Sequence, residues 1–421
     1  MISLLTVVYG DQMTSNGYAD GPSGAHNAYF SMLNALLREN GSGHPVIVLD
    51  LDTLDQNISV LKKKITAPKS FRVVVKSLPC IELIRHVFEI AQTRKAMVFH
   101  RPFLNLIARE FPDADVLLGK PFPMQAARVF YRELGETSAF DPSTNLQWLI
   151  DTHRRLLQYQ QLAHEHCTRL RINLELDVGL HRGGISEPQQ LRQFFETIAG
   201  DPEHLAFAGF MGYDPHVSRS EKLFIPTRKS FARVLKRYEQ FIAFLRSEFP
   251  DLYTDRLTFN GAGSQTYAHY ETINLLNDIS VGSALLKPAN FDLGSLAIHQ
   301  PAMFIATPIL KKHAGVTIPF LEALAPIMKK LKRTWGTTLF IYGGYWKAVP
   351  HSPQGVRTNS LYGRSTNQEM LNAPEDIAVD VDDYIFLRPT QSESVMLQFG
   401  DLIVVRGGEV VDRWPVFSQG T

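Results

Sequence analysis

The sequence predicts an α/β fold: a (β/α)₈ barrel of the TIM type followed by a smaller, mostly-β domain. From Phe71 onward, eight short apolar segments alternate with amphipathic helical segments, which is the pattern of a parallel sheet closed by helices. These eight units occupy roughly 220 residues, a usual length for such a barrel. After Pro301 the pattern changes to short strands separated by Gly, Pro and Asn, which predicts a second domain.

The barrel elements follow one another in a regular order. The predicted strands are Phe71–Val75, Ala96–Phe99, Ala114–Leu118, Leu146–Ile150, Leu170–Val178, Ala206–Met211, Leu257–Asn260 and Ile279–Leu285. The predicted helices between them are Pro79–Gln92, Asn105–Glu110, Met124–Leu134, Thr152–His166, Pro188–Ala199, Ser220–Phe249 and a helix after Gly263. Each helical segment carries apolar residues at spacings of three and four, so each has one face for the barrel wall.

Residues 1–48 are predicted to be an extension outside the barrel. Residues 11–27 are rich in Gly, Ser, Asn and Asp, which predicts a loop, and Ala28–Arg38 has a helical apolar stripe. The strand at His44–Asp50 has no partner in the barrel, so we expect it to pair with the C-terminal domain. An amphipathic helix from Leu51 follows, which Asp52 or Thr53 can cap. We therefore predict an extension at 1–48, a cofactor-binding barrel at 49–300 and a β domain at 301–421.

The C-terminal domain is predicted from five apolar segments. The expected strands are Ala302–Leu310, Thr337–Tyr342, Tyr384–Leu387, Asp401–Val405 and Glu409–Trp414, with Gly407 and Gly408 forming a hairpin turn between the last two.

Composition excludes several classes of function. The 421 residues include 43 Lys+Arg and 42 Asp+Glu, so no basic surface for nucleic acid or a membrane is indicated. The two cysteines, Cys80 and Cys167, lack metal-site spacing and predict a reducing compartment. The apolar run at residues 1–9 lacks the basic start of a secretion signal, and no run approaches the roughly 20 residues of a membrane span. We expect a cytoplasmic protein that acts on a small molecule.

Lys76 stands directly at the end of the first barrel strand. The C-terminal ends of barrel strands form the rim where catalytic groups sit, so a lysine there is well placed to form a Schiff base. The alternative is a solvated lysine in an ordinary turn.

The fifth strand carries four polar residues at alternate positions. Arg171, Asn173, Glu175 and Asp177 share one face, and buried charges on that face must be paired. This pattern has two interpretations, a structural ion-pair network and catalytic carboxyls near the rim. Arg182, in the glycine-rich turn that follows, is a candidate to hold an anionic oxygen.

Three further strand ends carry candidate residues. The sixth strand runs into Tyr213 and His216, a candidate acid/base or ring-stacking histidine. The seventh and eighth strands run into glycine and hydroxyl residues, a pattern that can present backbone N–H groups to a phosphate. These residues are Gly261, Gly263, Ser264, Thr266, Gly282 and Ser283.

These motifs, in this order, resemble the fold type III pyridoxal 5′-phosphate (PLP) enzymes, in particular the branch of D-threonine aldolase and D-serine dehydratase, with alanine racemase more distant. The resemblance rests on residues 44–57, on Val75–Ser77, on Glu175–Gly184 and on the turns after strands six to eight. It implies an alanine racemase-like barrel, a homodimer and PLP as the cofactor. It also implies roles: Lys76 binds the cofactor covalently, Arg182 lies near its phenolic oxygen, and His216 lies beside its ring. Tyr213 is a further cofactor-binding residue, and the glycines and hydroxyls after strands seven and eight hold the phosphate.

Two departures from that family shape the predicted chemistry. Ser280 stands where alanine racemase has an arginine at the pyridine nitrogen, which argues against a racemase-type arrangement. The metal-binding His-x-Cys or His-x-Asp loop of the aldolase and dehydratase is missing after Asp401, so no metal site is predicted. Glu393 is a candidate replacement acid/base, with a capped turn as the alternative, and Arg388 and His351 are candidate substrate-binding residues.

The sequence therefore predicts a PLP-dependent lyase that cleaves or dehydrates a D-β-hydroxy amino acid. Three alternatives remain open: a PLP-dependent racemase, a non-catalytic PLP carrier, and a barrel that binds another phosphorylated ligand.

Overall fold

The computed structural model describes residues 24–135, 137–315, 336–359 and 362–418. Most of the loop predicted over residues 11–27, and the apolar run at residues 1–9, lie outside the described residues. Within them, a closed eight-stranded parallel barrel and a nine-stranded sheet form the two parts of the molecule, so the predicted fold class is confirmed. In the described part of the chain, no helix is long and apolar enough to cross a membrane.

The barrel consists of strands β2 to β9 in sequence order, each parallel to its neighbours, with β9 pairing back onto β2. The strands are β2 (Ser70–Val74), β3 (Lys95–Val98), β4 (Asp115–Leu118), β5 (Leu146–Ile150), β6 (Leu170–Glu175), β7 (Leu205–Gly212), β8 (Thr258–Gly261) and β9 (Asp278–Val281). The α-helices between them are α3 (Ile81–Ala91), α4 (Arg101–Glu110), α5 (Met124–Leu134), α6 (Pro142–Asn145), α7 (His153–Glu165), α8 (Leu191–Gly200) and α9 (Thr227–Glu248). Their buried residues recur every three or four positions, as expected for helices that cover a barrel.

The second sheet contains β1 (Val46–Asp50) together with the C-terminal strands. Those strands are β10 (Met303–Ala314), β11 (Thr337–Tyr342), β12 (Ala348–Ser352), β13 (Arg357–Thr358), β14 (Gln368–Ala373), β15 (Tyr384–Pro389), β16 (Asp401–Arg406) and β17 (Glu409–Pro415). β1 pairs antiparallel with β10 and parallel with β16, which confirms the expected partner of the N-terminal strand. The hairpin at Gly407 and Gly408 is also confirmed. The domain boundaries at 48 and 300 stay predictions.

The N-terminal helix α1 (Ala28–Asn40) covers one face of this sheet. Its buried residues Phe30, Leu33 and Leu37 share a small core with Val46 and Phe304. A separate, larger core contains the barrel and its helices and continues into the second sheet through residues such as Leu49 and Ile305.

Several local predictions were wrong. Asp50, not Asp52 or Thr53, caps α2 (Leu51–Lys64), because its carboxylate accepts the N–H of Thr53 at 2.9 Å. β6 ends at Glu175, three residues early, because the chain turns there into the glycine-rich loop. The helix expected after Gly263 is a single 3₁₀ turn, Tyr267–Tyr270. Strands β12, β13 and β14 were missed because their polar residues give no period-two pattern.

A buried ion pair lies where the barrel closes. Arg72 on β2 is fully buried, and it donates to Asp278 on β9 from Nε at 2.8 Å and from Nη2 at 2.9 Å. Arg72 also reaches Asp115 on β4 at 2.9 Å, and Lys95 on β3 reaches Asp278 at 3.1 Å. These contacts satisfy charges that would otherwise be buried without partners. The structural interpretation of the polar face of β6 fits Arg171, which lies 3.6 Å from Asp115 in this network.

Asp278→Asn should destabilise the protein by about 3–5 kcal/mol, because it leaves the buried Arg72 short of its main counter-charge. Urea unfolding at pH 7 measures this difference. Asp113→Asn is the matched control: Asp113 is exposed and lies 3.3 Å from the exposed Arg94, so its loss should cost about 0–1 kcal/mol. Equal losses in the two variants would contradict a closing role for the Arg72–Asp278 pair.

Candidate active site

A cavity of about 680 Å³ opens at the C-terminal end of the barrel. Each of the eight barrel strands contributes a residue within one position of its C-terminal end: Val74, Met97, Gly119, Asp151, Glu175, Met211, Asn260 and Ser280. The cavity is also lined by Gln391, Ser392 and Glu393 of the C-terminal domain, from the start of the short helix α10 (Ser392–Met396). Both parts of the molecule therefore form one site, of a size that suits a small ligand.

Lys76 lies in this cavity, in the 3₁₀ turn Val75–Ser77 that directly follows β2. Its Nζ is 4.3 Å from the centre of the Phe99 ring and 3.8 Å from Oε2 of Glu393. The aromatic face and the carboxylate both hold the ammonium group at the centre of the site. The amine is thus placed beside a carboxylate that can exchange a proton with it.

Hydroxyl groups and backbone N–H groups gather at the turns after β8 and β9. Ser264 Oγ accepts the N–H of Gly282 at 3.2 Å and that of Ala284 at 3.0 Å, and Ser283 donates to Ser77 at 3.0 Å. A Cβ on Gly282 would lie 2.8 Å from Ser77, so only glycine allows this close approach. Such a set of small donors is suited to an anion such as a phosphate.

Arg182 and Tyr213 form the wall between the turns after β6 and β7. The Arg182 guanidinium lies 5.0 Å from the centre of the Tyr213 ring, and a Cβ on Gly263 would meet that ring at 2.7 Å. The tyrosine is therefore held between a cation and a glycine. Asp177, which does not line the cavity, accepts the backbone N–H of His181 at 3.0 Å and so fixes the turn that presents Arg182.

Glu175 is a carboxyl group with altered acidity at the end of β6. Burial, together with the nearby Asp151, raises its pKa to about 7, although Arg182 acts in the opposite direction. Glu175 therefore holds a proton part of the time at neutral pH. Because Glu175 lines the cavity, a role in the chemistry of the site stays a prediction for this residue.

Three predicted cofactor residues do not line the cavity. Thr266 is buried and donates to Asp214 at 2.6 Å, so its hydroxyl is used inside the protein. A Cβ built on Gly261 would lie 2.5 Å from the side chain of Leu276, so the packing at this position requires a glycine. His216 packs against the glycine-rich turn after β6, because a Cβ built on Gly179 would lie 3.3 Å from its Nε2. Tyr213, and not His216, faces the cavity.

The two predicted substrate-binding residues also lie outside the cavity. Arg388 is buried on β15, where it donates to Asp292 at 2.7 and 2.8 Å and to the carbonyl of Lys287 at 2.8 Å. His351 packs 5.3 Å from Phe304, ring centre to ring centre, in the core under α1. The Arg388 guanidinium is engaged by Asp292 and the Lys287 carbonyl, and His351 does not line the cavity, so neither residue is placed to contact a ligand there.

The structure adds cavity residues that the sequence analysis did not select. They include His100, Lys120, Asp151, Arg219 and Ser392. His100, Lys120 and Asp151 follow β3, β4 and β5, so their positions just after a barrel strand were an available signal. Ser392 had no such signal: its side chain is buried, and its Oγ has no hydrogen-bond partner among the described residues.

These residues fit a phosphorylated aldehyde cofactor. Lys76 provides the amine, the turns at Ser264 and Gly282–Ser283 provide small donors, and the unpartnered Ser392 Oγ leaves a donor for a bound molecule. Ser280, whose Oγ accepts from Asn260 Nδ2 at 2.8 Å, provides a neutral group on the cavity floor. The donor set therefore suits PLP without the arginine of alanine racemase at that position.

Comparison with known proteins gives one family match. The family model for the N-terminal domain of alanine racemase matches residues 49–287, more than half of the chain. The 3-hydroxy-D-aspartate aldolase of Paracoccus denitrificans (strain Pd 1222) is 22% identical over 282 residues. That alignment covers 64% of this chain and 66% of the relative, just under two thirds of its length.

Solved structures share the fold over most of the chain. D-threonine aldolase from Filomicrobium marinum has a TM-score of 0.68 at 18% identity, and the match covers 89% of this chain and 96% of that one. D-threo-3-hydroxyaspartate dehydratase from Delftia sp. HT23 has a TM-score of 0.69 at 13% identity, covering 89% and 98%. At these identities the likeness concerns the fold.

Glu175→Gln should make the stability of the cofactor-free protein less dependent on pH. The pKa of Glu175 is raised above the ordinary 4.5 to about 7, so the folded state binds its proton more tightly than the unfolded state does. The contribution of Glu175 to the free energy of unfolding is therefore fully present below pH 4.5. It is lost as the pH rises through 7, and the loss is about 3 kcal/mol at most. Urea unfolding at pH 5 and pH 7.5 should show this loss in the natural protein and not in the variant.

The exposed Glu196→Gln is the control for this experiment and should behave like the natural protein. If Glu175→Gln loses as much stability between the two pH values as the natural protein, Glu175 does not have a raised pKa.

Proposed function

Because this chain belongs to the family of the alanine racemase N-terminal domain, the fold type III enzymes that use PLP, we propose that it is a PLP-dependent lyase acting on a D-β-hydroxy amino acid. The reaction is aldol cleavage or dehydration, the activities that the names of its relatives describe. The observation that carries the proposal is the cavity itself, in which Lys76 faces a set of small phosphate-type donors.

We assign the cofactor-holding roles to the residues that line the cavity. Lys76 is the lysine to which PLP attaches, Ser264, Gly282 and Ser283 hold its phosphate, and Tyr213, Gly263 and Arg182 form the wall beside it. When bound, PLP supplies an electron sink for bond cleavage at the substrate Cα. His216, Thr266 and Gly261 are not assigned contacts with the cofactor, because they do not line the cavity.

Glu393 is the proposed acid/base for the substrate. Its carboxylate lies 3.8 Å from Lys76 Nζ, on the short helix that closes the cavity. From this position it can accept the proton of a β-hydroxyl group during aldol cleavage, or donate one to a leaving hydroxyl during dehydration. His100, which lines the same cavity, is the second candidate for this proton.

We assign substrate recognition to polar and charged groups that line the cavity. Ser392 and Gln391 line the cavity beside Glu393, and the Ser392 hydroxyl has no partner among the described residues. Lys120 and Arg219 also line the cavity, and the described residues supply no ion pair for either, so both are available to carboxylate groups. These four residues replace Arg388 and His351 in the proposed recognition of substrate.

We further propose that the protein is a cytoplasmic homodimer that does not bind nucleic acid or membranes. Tyr342 and Tyr345 of the C-terminal domain are 42% and 61% exposed, and large exposed aromatics suit a protein interface. Trp346, expected with them, is half-buried against Phe399. Sedimentation of a monomer at micromolar concentration would contradict the dimer.

Borohydride reduction of the purified, yellow protein should attach a pyridoxyl group to Lys76, because this amine faces the proposed phosphate donors. Peptide mass spectrometry identifies the labelled lysine. Lys120 is the internal control, since it lines the same cavity and should remain unlabelled. A label on Lys120, or a colourless protein that takes up no PLP, would refute the cofactor assignment.

Glu393→Gln should lower the turnover of a D-β-hydroxy amino acid by about 10²- to 10⁴-fold while PLP remains bound, because it removes a proton-transfer group and leaves Lys76 intact. Coupled detection of the carbonyl product gives the rate, and the absorption of bound PLP gives the occupancy. The exposed Glu409→Gln is the matched control and should be unaffected.

The same assay should continue in the presence of EDTA. Among the described residues, the one group of three metal-ligating side chains found together is His164, Asp201 and His204, which does not line the cavity. Loss of activity in EDTA, restored by zinc or manganese, would reveal a catalytic metal site and contradict the role given to Glu393. Exchange of the α-proton without a carbonyl product would favour a racemase.

A further inference from the structure

Three metal-ligating side chains converge at the end of the barrel opposite the cavity. They are His164 in the last turn of α7, and Asp201 and His204 in the turn between α8 and β7. One ligand atom from each residue lies within 4.8 Å of the other two. From this arrangement we propose that His164, Asp201 and His204 bind a divalent transition-metal ion, Zn²⁺, that is separate from the chemistry of the cavity.

The two imidazoles already contact the same carboxylate. The Asp201 carboxylate lies 2.8 Å from Nε2 of His164 through one oxygen and 2.9 Å from Nδ1 of His204 through the other. The two imidazole rings are stacked, with their centres 3.7 Å apart and their planes at 29°. The three side chains are therefore already packed together.

The carboxylate is held in place by further contacts. Gln160 on α7 donates to Asp201 Oδ2 at 2.9 Å, one turn before His164. The backbone N–H groups of His204 and Leu205 donate to the Asp201 carbonyl at 3.2 and 2.9 Å, which closes the turn that carries both ligands. Because the three ligand atoms already lie within 4.8 Å of one another, a metal ion would need only small side-chain rotations to contact all of them.

The ligand set and its exposure point to zinc. Two imidazoles and a carboxylate are common zinc ligands, at about 2.0–2.2 Å from the ion. His164 is 53% exposed on its side chain, so the ion can enter from solvent and water can complete the tetrahedron. Magnesium and calcium prefer oxygen ligands and do not suit this set.

The position excludes a direct part in the reaction. β6 and β7 begin at Leu170 and Leu205, next to this cluster, and reach the cavity only at Glu175 and Met211. Strands of this length span roughly 17–20 Å, so the ion lies at the other end of the barrel. It would instead tie α7 to the turn before β7, across two neighbouring β/α units.

Isothermal titration calorimetry with ZnCl₂ tests the proposal on the full-length protein carrying its cofactor, after removal of metals with EDTA. The natural protein should bind one zinc ion per chain at this site, and the midpoint of thermal unfolding should rise with zinc. His164→Gln and His204→Ala should each weaken binding at least tenfold and abolish the rise in midpoint. His153→Ala, at the start of the same helix and outside the cluster, should bind zinc as the natural protein does.

A second measurement covers the possibility that His204→Ala does not fold. Co²⁺ added to the natural protein should give visible absorption bands of a low-coordinate histidine site, which one equivalent of Zn²⁺ removes. Absence of zinc binding by the natural protein at micromolar concentration, or undiminished binding by His164→Gln, would overturn the proposal. Turnover by the cavity should be equal with and without zinc, so this result is independent of the proposed lyase activity.

Discussion

The ion pair between Arg72 and Asp278 is the contact on which the site depends. The two residues are 206 positions apart, and they join β2 to β9, the strands that meet only when the barrel closes. Lys76 follows β2, whereas Gly282 and Ser283 follow β9. The proposed cofactor-binding amine and the proposed phosphate donors are therefore brought together by this closure.

The polar network continues from the closure to the cavity floor. Asn260 donates to Asp278 at 2.5 Å and to Ser280 at 2.8 Å, and both Asn260 and Ser280 line the cavity. The buried carboxylate of Asp278 thus orients the side-chain amide of Asn260, and this amide in turn orients the hydroxyl of Ser280. The same groups that satisfy buried charge in the barrel also fix the lower surface of the site.

The sequence predicted the barrel and the rim well because both follow from patterns that are local. Alternating apolar segments indicate which residues form strands, and the position just after a strand indicates the rim. Which side of a loop a residue faces depends on distant partners. Ser264 and Thr266 are two residues apart in one turn, yet only Ser264 lines the cavity. The Thr266 hydroxyl donates instead to Asp214, a buried carboxyl 52 positions earlier, and no local pattern in the sequence indicates this contact.

The C-terminal domain also shows that residues close in sequence can face different surroundings. Arg388 and Glu393 are five residues apart, but Arg388 is buried between β15 and the barrel while Glu393 lines the cavity. Arg388 binds Asp292 and the carbonyl of Lys287, both from the barrel side of the chain. It therefore holds the C-terminal domain against the barrel and so positions the helix that carries Ser392 and Glu393.

The charge of the cavity then follows from this assembly: four cations, Lys76, Lys120, Arg182 and Arg219, face three carboxyls, Asp151, Glu175 and Glu393. Since the pKa of Glu175 is about 7, the balance at neutral pH is positive, and a positive cavity with low-dielectric walls attracts anions such as a phosphate or an amino-acid carboxylate. Such anions would further favour the protonated form of Glu175, which leaves Glu393, beside Lys76, as the carboxylate placed to exchange a proton with the substrate.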